Sequence, residues 1–184
     1  MDRERMVDVG VAVVSRFGAK ALSLTAVARQ AGVARATAYR MFGGRDALVA
    51  AIVEREVSLL RARLNEWSDT QPDAEGKVRI QVIETLRYIR EHEALQYILR
   101  NEPEEIVRTL VSTTDSPGTT LIHLIINAAI PDLTPEIGEQ LYPNPAAAAE
   151  FMVRTIYSYM LIPEGTLSDE EAAELVVRAI VRQR

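Results

Sequence analysis

The chain has 184 residues, enough for one ordinary domain or for a small one joined to a medium one. It holds no cysteine, which excludes disulfides, thiolate metal sites and a cysteine nucleophile. No run of about 18 apolar residues occurs, so no membrane span is expected, and the mixed charges of Asp2, Arg3, Glu4 and Arg5 do not read as a secretory signal. The net charge of −5 hides an asymmetry: residues 1–48 are net basic, with Arg3, Arg5, Arg16, Lys20, Arg29, Arg35, Arg40 and Arg45 against Asp2, Glu4, Asp8 and Asp46. A basic head on an acidic body would be oriented by a polyanion such as DNA, which attracts one end and repels the other.

Apolar spacing predicts helix nearly throughout, and no alternating run marks a strand. The first helix is expected over Arg3–Phe17, where Met6, Val9, Val13, Val14 and Phe17 form a stripe, and Gly18 stops it. Ser23 reads as an N-cap for a short helix over Leu24–Ala31. Gly32-Val33 forms a turn, a second short helix follows over Arg35–Phe42, and Gly43-Gly44 breaks it. A long helix should run from Arg45 or Asp46 to Trp67. Further helices are expected over Lys77–Glu91, Ala94–Arg100, Pro103–Val111, Pro117–Ala129, a short stretch from Pro135, and Pro145–Leu161. Ser168 and Glu171 make a capping box ahead of a last helix reaching Arg182.

The two short helices about the Gly32-Val33 turn have helix-turn-helix spacing. Ala28, Val33, Ala38 and Phe42 can pack their inner faces, which leaves Arg35, Ala36, Thr37, Tyr39 and Arg40 on or near the outer face of the second. Such a helix fits a major groove about 12 Å wide. Arg35 can donate bidentately to guanine, Thr37 and Tyr39 can reach phosphate oxygens, and Arg40 can reach either. Thr25 sits in the first turn of the preceding helix, and Arg45 at the positive start of the next, a natural phosphate site.

The run Phe17-Gly18, Ser23, Val27-Ala28, Ala31-Gly32-Val33, Thr37-Ala38-Tyr39, Phe42 and Arg45-Asp46-Ala47-Leu48 resembles the DNA-binding signature of the TetR family. Ala34 departs from it where a capping Ser is common, and Met41 where His is common. The resemblance covers about a quarter of the chain. It implies an all-α protein: an N-terminal three-helix helix-turn-helix DNA-binding domain over 1–47 and a C-terminal helical ligand-binding and dimerisation domain over 48–184. It also implies a cytoplasmic homodimer on double-stranded operator DNA, a repressor released by a small effector, with no cofactor and no membrane partner; the apolar run Leu121-Ile122-His123-Leu124-Ile125-Ile126 suggests a buried helix and a hydrophobic effector. The long helix that starts at Asp46 would be the lever between the two parts.

In the body, Tyr88, Tyr97, His123, Asn127 and Tyr157 are the polar or aromatic candidates for an effector pocket. Phe151, Thr155, Ile156 and Tyr159 on one helix, with Leu175, Val176, Ala179 and Ile180 on the next, could pair two subunits as a four-helix bundle. An enzyme is disfavoured: there is no phosphate-binding glycine loop, no serine elbow and no metal-spaced histidine pair. His92 and the cluster Glu102, Glu104 and Glu105 read as solvated helix ends. A helical scaffold or partner-binding protein, or an activator of the same family, are the alternatives.

Overall fold

The structure is a computed structural model that describes residues 2–110, 125–126 and 133–182, the side chains of 108–110 excepted. Among the described residues every element is a helix, apart from one β-bridge between Leu141 and Val181. The helices are α1 (Asp2–Phe17), α2 (Leu24–Gln30), α3 (Arg35–Phe42), α4 (Arg45–Asp69) and α5 (Ala74–Glu91). They continue with α6 (Glu93–Asn101), α7 (Pro103–Leu110), α8 (Pro135–Gln140), α9 (Pro145–Leu161) and α10 (Asp169–Ile180).

The ends differ from expectation where a side chain or a neighbour intervenes. α5 begins at Ala74, not Lys77, because the Asp73 carboxylate accepts the Gly76 N–H at 2.8 Å and adds a turn. α10 stops at Ile180, short of Arg182, because the chain there pairs with the segment after α8: Tyr142 N–H donates to Ile180 O, and Arg182 N–H to Gln140 O, both at 2.8 Å. The capping box is present in full, Ser168 and Glu171 each accepting the other's backbone N–H. The helix expected over Pro117–Ala129 lies outside the described residues except for Ile125 and Ile126, which are helical.

The chain divides into two compact units. The first takes Met1–Glu56 and His92–Thr109; the second takes Val57–Glu91 and Leu110–Arg184. The first unit thus extends past the expected boundary between 47 and 48 into α4 and takes in α6 and most of α7. In the first unit α1 packs on α2 and α6, and α2 on α3. Met6, Val27 and Leu48 are fully buried at its centre, each contributing about 1.5–3 kcal/mol by burial. In the second, α9 and α10 both pack on α5. Ion pairs from Arg79 to Glu174 (2.8 Å) and from Arg90 to Asp169 tie α10 to α5. Arg79 first, then Arg178, hold the Glu174 carboxyl below its usual range.

Candidate nucleic-acid interface

The helix-turn-helix is assembled from local signals. Ser23 Oγ accepts the Ala26 N–H at 3.1 Å and caps α2. At the far end of α2 the chain turns through Gly32, whose φ of 67° favours glycine, and Val33 N–H returns to Ala28 O at 2.8 Å. The Arg5 side chain donates to Ala31 O from α1, satisfying a carbonyl that the end of α2 leaves free. Leu24, Val27, Ala28, Val33, Ala38 and Phe42 are all buried, so the inner faces of α2 and α3 meet as the spacing predicts.

The outer face of α3 carries the expected residues. Arg35, Ala36, Tyr39 and Arg40 are exposed, and Thr37 is half-buried. The Arg35 guanidinium lies 5.4 Å from the centre of the Tyr39 ring, one turn along, a cation–π contact that restricts the arginine before any ligand arrives. Thr25 is exposed on α2. The amino end of α3 has no side-chain cap, as Ala34 foretells, so its first N–H groups stay available to an acceptor from outside.

Arg45 has a role beyond the one expected of it. Its Nε donates to Leu22 O at 3.1 Å and its Nη2 to Ala19 O at 2.8 Å, so the side chain is fastened to the turn between α1 and α2. The same turn is held from the other side by Glu102, whose Oε2 accepts Ala19 N–H at 2.7 Å and Lys20 N–H at 3.2 Å. Glu102 is 7% exposed, so it is not the solvated helix end that the sequence suggested. Burying a carboxylate is tolerated here because two N–H donors meet it. Gly18, φ 83°, makes room: a Cβ there would lie 2.7 Å from both Glu102 Cδ and the Tyr97 ring. Lys20 pairs with Glu104 beside it. His92 likewise caps α6, its Nδ1 accepting Leu95 N–H at 3.2 Å. The ring proton therefore sits on Nε2, which donates to Glu56 at 3.0 Å. No sequence signal marks Glu102, because its partners lie 83 and 82 residues away.

The proposed pocket residues are divided between the two units. Tyr97 belongs to the first unit, beside Gly18. Tyr88 and Tyr157 belong to the second, while His123 and Asn127 lie outside the described residues. The Arg63 guanidinium sits 4.9 Å over the Tyr88 ring. The Tyr157 hydroxyl is buried with no hydrogen-bond partner among the described residues, and burial pushes its pKa up. None of these tyrosines lines a pocket of about 310 Å³ in the second unit. That pocket is bordered by the end of α4 and the first turns of α5, and on another side by α8, α9 and the last residue of α10.

The expected dimer stripe divides in two. Ile156, Val176 and Ile180 are buried within the subunit's own core. Phe151 and Leu175 are 47% and 53% exposed, Ala179 is also exposed, and Thr155 and Tyr159 are half-buried. Among the described residues no helix is long and apolar enough to cross a membrane.

Residues 6–52, which enclose α2 and α3, match the family described as bacterial regulatory proteins, tetR family. An uncharacterized HTH-type transcriptional regulator of Mycobacterium tuberculosis is 26% identical over 95% of this chain and 83% of its own length. Among solved structures, the TetR-family repressor AlkX of a Dietzia strain, implicated in biodegradation of n-alkanes, superposes with a TM-score of 0.69 at 20% identity over 98% of this chain and 97% of that one. The SmeT–triclosan complex does so with a TM-score of 0.61 at 20% identity over 98% and 92%. These structural likenesses establish a shared fold.

Proposed function

The chain is a TetR-family transcriptional regulator with a DNA-binding helix-turn-helix, and on that premise we propose that it is a cytoplasmic repressor that binds its operator as a homodimer and leaves it when a small effector binds. The observation that carries this is the outer face of α3, where Arg35, Tyr39 and Arg40 stand exposed on a helix whose inner face is fully packed. Two copies of α3 would enter successive major grooves about 34–36 Å apart, so a small change in their separation spoils simultaneous fit. Coupling of about 1–3 kcal/mol between effector and operator suffices for control. The second copy would cover the Phe151 and Leu175 face of α9 and α10. Arg35 and Arg40 would contact bases or phosphates, and Thr25, Thr37 and Tyr39 phosphates. The uncapped start of α3 would receive a phosphate, while Ala36 lies flat against the groove. Arg45 would add its charge while holding the turn.

The test is titration of the purified protein with DNA from immediately upstream of its own gene, at several salt concentrations. Selective binding whose affinity falls steeply with salt, and which weakens with Arg35→Ala, is expected. A folded dimer that binds neither this fragment nor random genomic DNA would favour a scaffold.

A further inference from the structure

The pocket of the second unit has two chemically distinct sides. From α4 and α5 come Asn65, Ser68, Lys77 and Gln81; from α8, α9 and α10 and the residue after α8 come Leu141, Ala149, Met152 and Ile180. On the polar side Lys77, Gln81 and Ser68 have hydrogens beyond those given to one another. The Lys77 ammonium has three hydrogens and directs one to Ser68 O at 2.7 Å; among the described residues it has no ion-pair partner. Gln81 Nε2 donates one of its two hydrogens to Ser68 Oγ at 2.6 Å, which leaves that hydroxyl its own hydrogen to give. Ser68 is 7% exposed, while Lys77 and Gln81 are half-buried beside it. Asp69 also borders the pocket but is exposed, where water screens its charge.

The buried Ser68 and the half-buried Lys77 and Gln81, one of them a cation, face an aliphatic wall, which suits a ligand with an anionic acceptor at one end and an apolar body. The volume of about 310 Å³ lies at the small end of ligand pockets, which span about 300–1,000 Å³. We propose that this pocket is the effector site and that it takes a small amphipathic monocarboxylate. The carboxylate lies on Lys77, Ser68 and Gln81, and the hydrocarbon lies on Ala149 and Met152. The proposal rests on the ligand-responsive function above and supplies its site and chemical class.

Octanoate is the probe, with octan-1-ol as the same body without the charge, each titrated calorimetrically into the intact protein. Octanoate should bind about tenfold more tightly than octan-1-ol. Lys77→Gln, which keeps a donor for Ser68 O, should remove that advantage, weakening octanoate far more than octan-1-ol. Ala149→Phe should fill the apolar side and weaken both ligands more than tenfold. If Ala149→Phe does not fold, Lys77→Gln and the alcohol comparison still decide. Equal affinity for acid and alcohol, octanoate binding that Lys77→Gln leaves intact, or no octanoate binding overturns the proposal. Operator binding read in the same samples separates the two levels. Octanoate that binds through Lys77 without loosening operator DNA upholds the pocket and overturns release by this ligand. Release by octanoate that both variants leave unaltered overturns the pocket and upholds release.

Discussion

The outer face of α3 and the outer face of α9 and α10 are both exposed, yet they are made of opposite materials. On α3 the exposed residues are Arg35, Tyr39 and Arg40, with Thr37 half-buried beside them. Water solvates these groups at little cost, so the surface is stable alone and gains only when phosphates and base edges replace the water. On α9 and α10 the exposed side chains include the large apolar Phe151 and Leu175, whose hydration is unfavourable and which gain most from contact with another apolar surface. The first face therefore waits for a polar partner that comes and goes. The second suits a partner that stays, and a second copy of the same chain is the simplest such partner.

Substitutions can break this contrast. The largest effect is expected from Arg35→Ala combined with Tyr39→Ala. Operator affinity should fall about a hundredfold or more, as a bidentate base contact alone is worth about 1–3 kcal/mol, and the salt slope should become shallower. Thermal unfolding should barely move, since neither side chain is in the core; a large fall in stability would show that α3 is a structural helix only. Next, Leu175→Arg should raise the dimer dissociation constant about tenfold to a hundredfold in sedimentation equilibrium, by placing a charge on an apolar contact. An unchanged constant would move the dimer contact elsewhere. Glu102→Gln, which replaces a carboxylate by an amide at two backbone donors, should lower the stability of the first unit by about 1–2 kcal/mol in urea titration. The smallest pair tests α2 against α3. Ser23→Ala should destabilise by about 1 kcal/mol, while Ala34→Ser should stabilise by a few tenths up to about 1 kcal/mol. Ala34→Ser would also place a hydroxyl at the N–H groups reserved for phosphate, so tighter DNA binding would contradict their assigned use.

The helix-turn-helix was legible in the sequence because everything that defines it is local. Ser23, Gly32, Val33 and the buried positions of α2 and α3 lie within twenty residues, and each acts on its near neighbours. Arg45 shows the limit. Its place at the start of α4 was plain, but its hydrogen bonds run back to Ala19 and Leu22. Glu102 lies further beyond that limit, because nothing around Asn101-Glu102-Pro103 marks a carboxylate that will be buried against the end of α1. The α9 and α10 stripe shows another limit: helical spacing identifies apolar positions without saying which face goes inward, so it groups the buried Ile156 and Val176 with the exposed Phe151 and Leu175. The pocket collects residues from five separate stretches of chain, none of which is unusual alone.

The first unit is discontinuous, and this matters to anyone who would move the DNA reader to another protein. A segment cut at the family boundary, residues 6–52, would leave behind Ala94 and Ile98, which pack on its core, and Glu102, which holds the turn after α1. It would also lose Arg5, which fastens the end of α2. The portable module is two strings of sequence, Met1–Glu56 and His92–Thr109, so a chimera needs both, joined by Val57–Glu91 or by a short replacement for it that lets α6 return to α1. Exchange of the second unit between relatives should therefore succeed at joints within α4, near His92 and near Thr109, and fail at a single joint after Ile52.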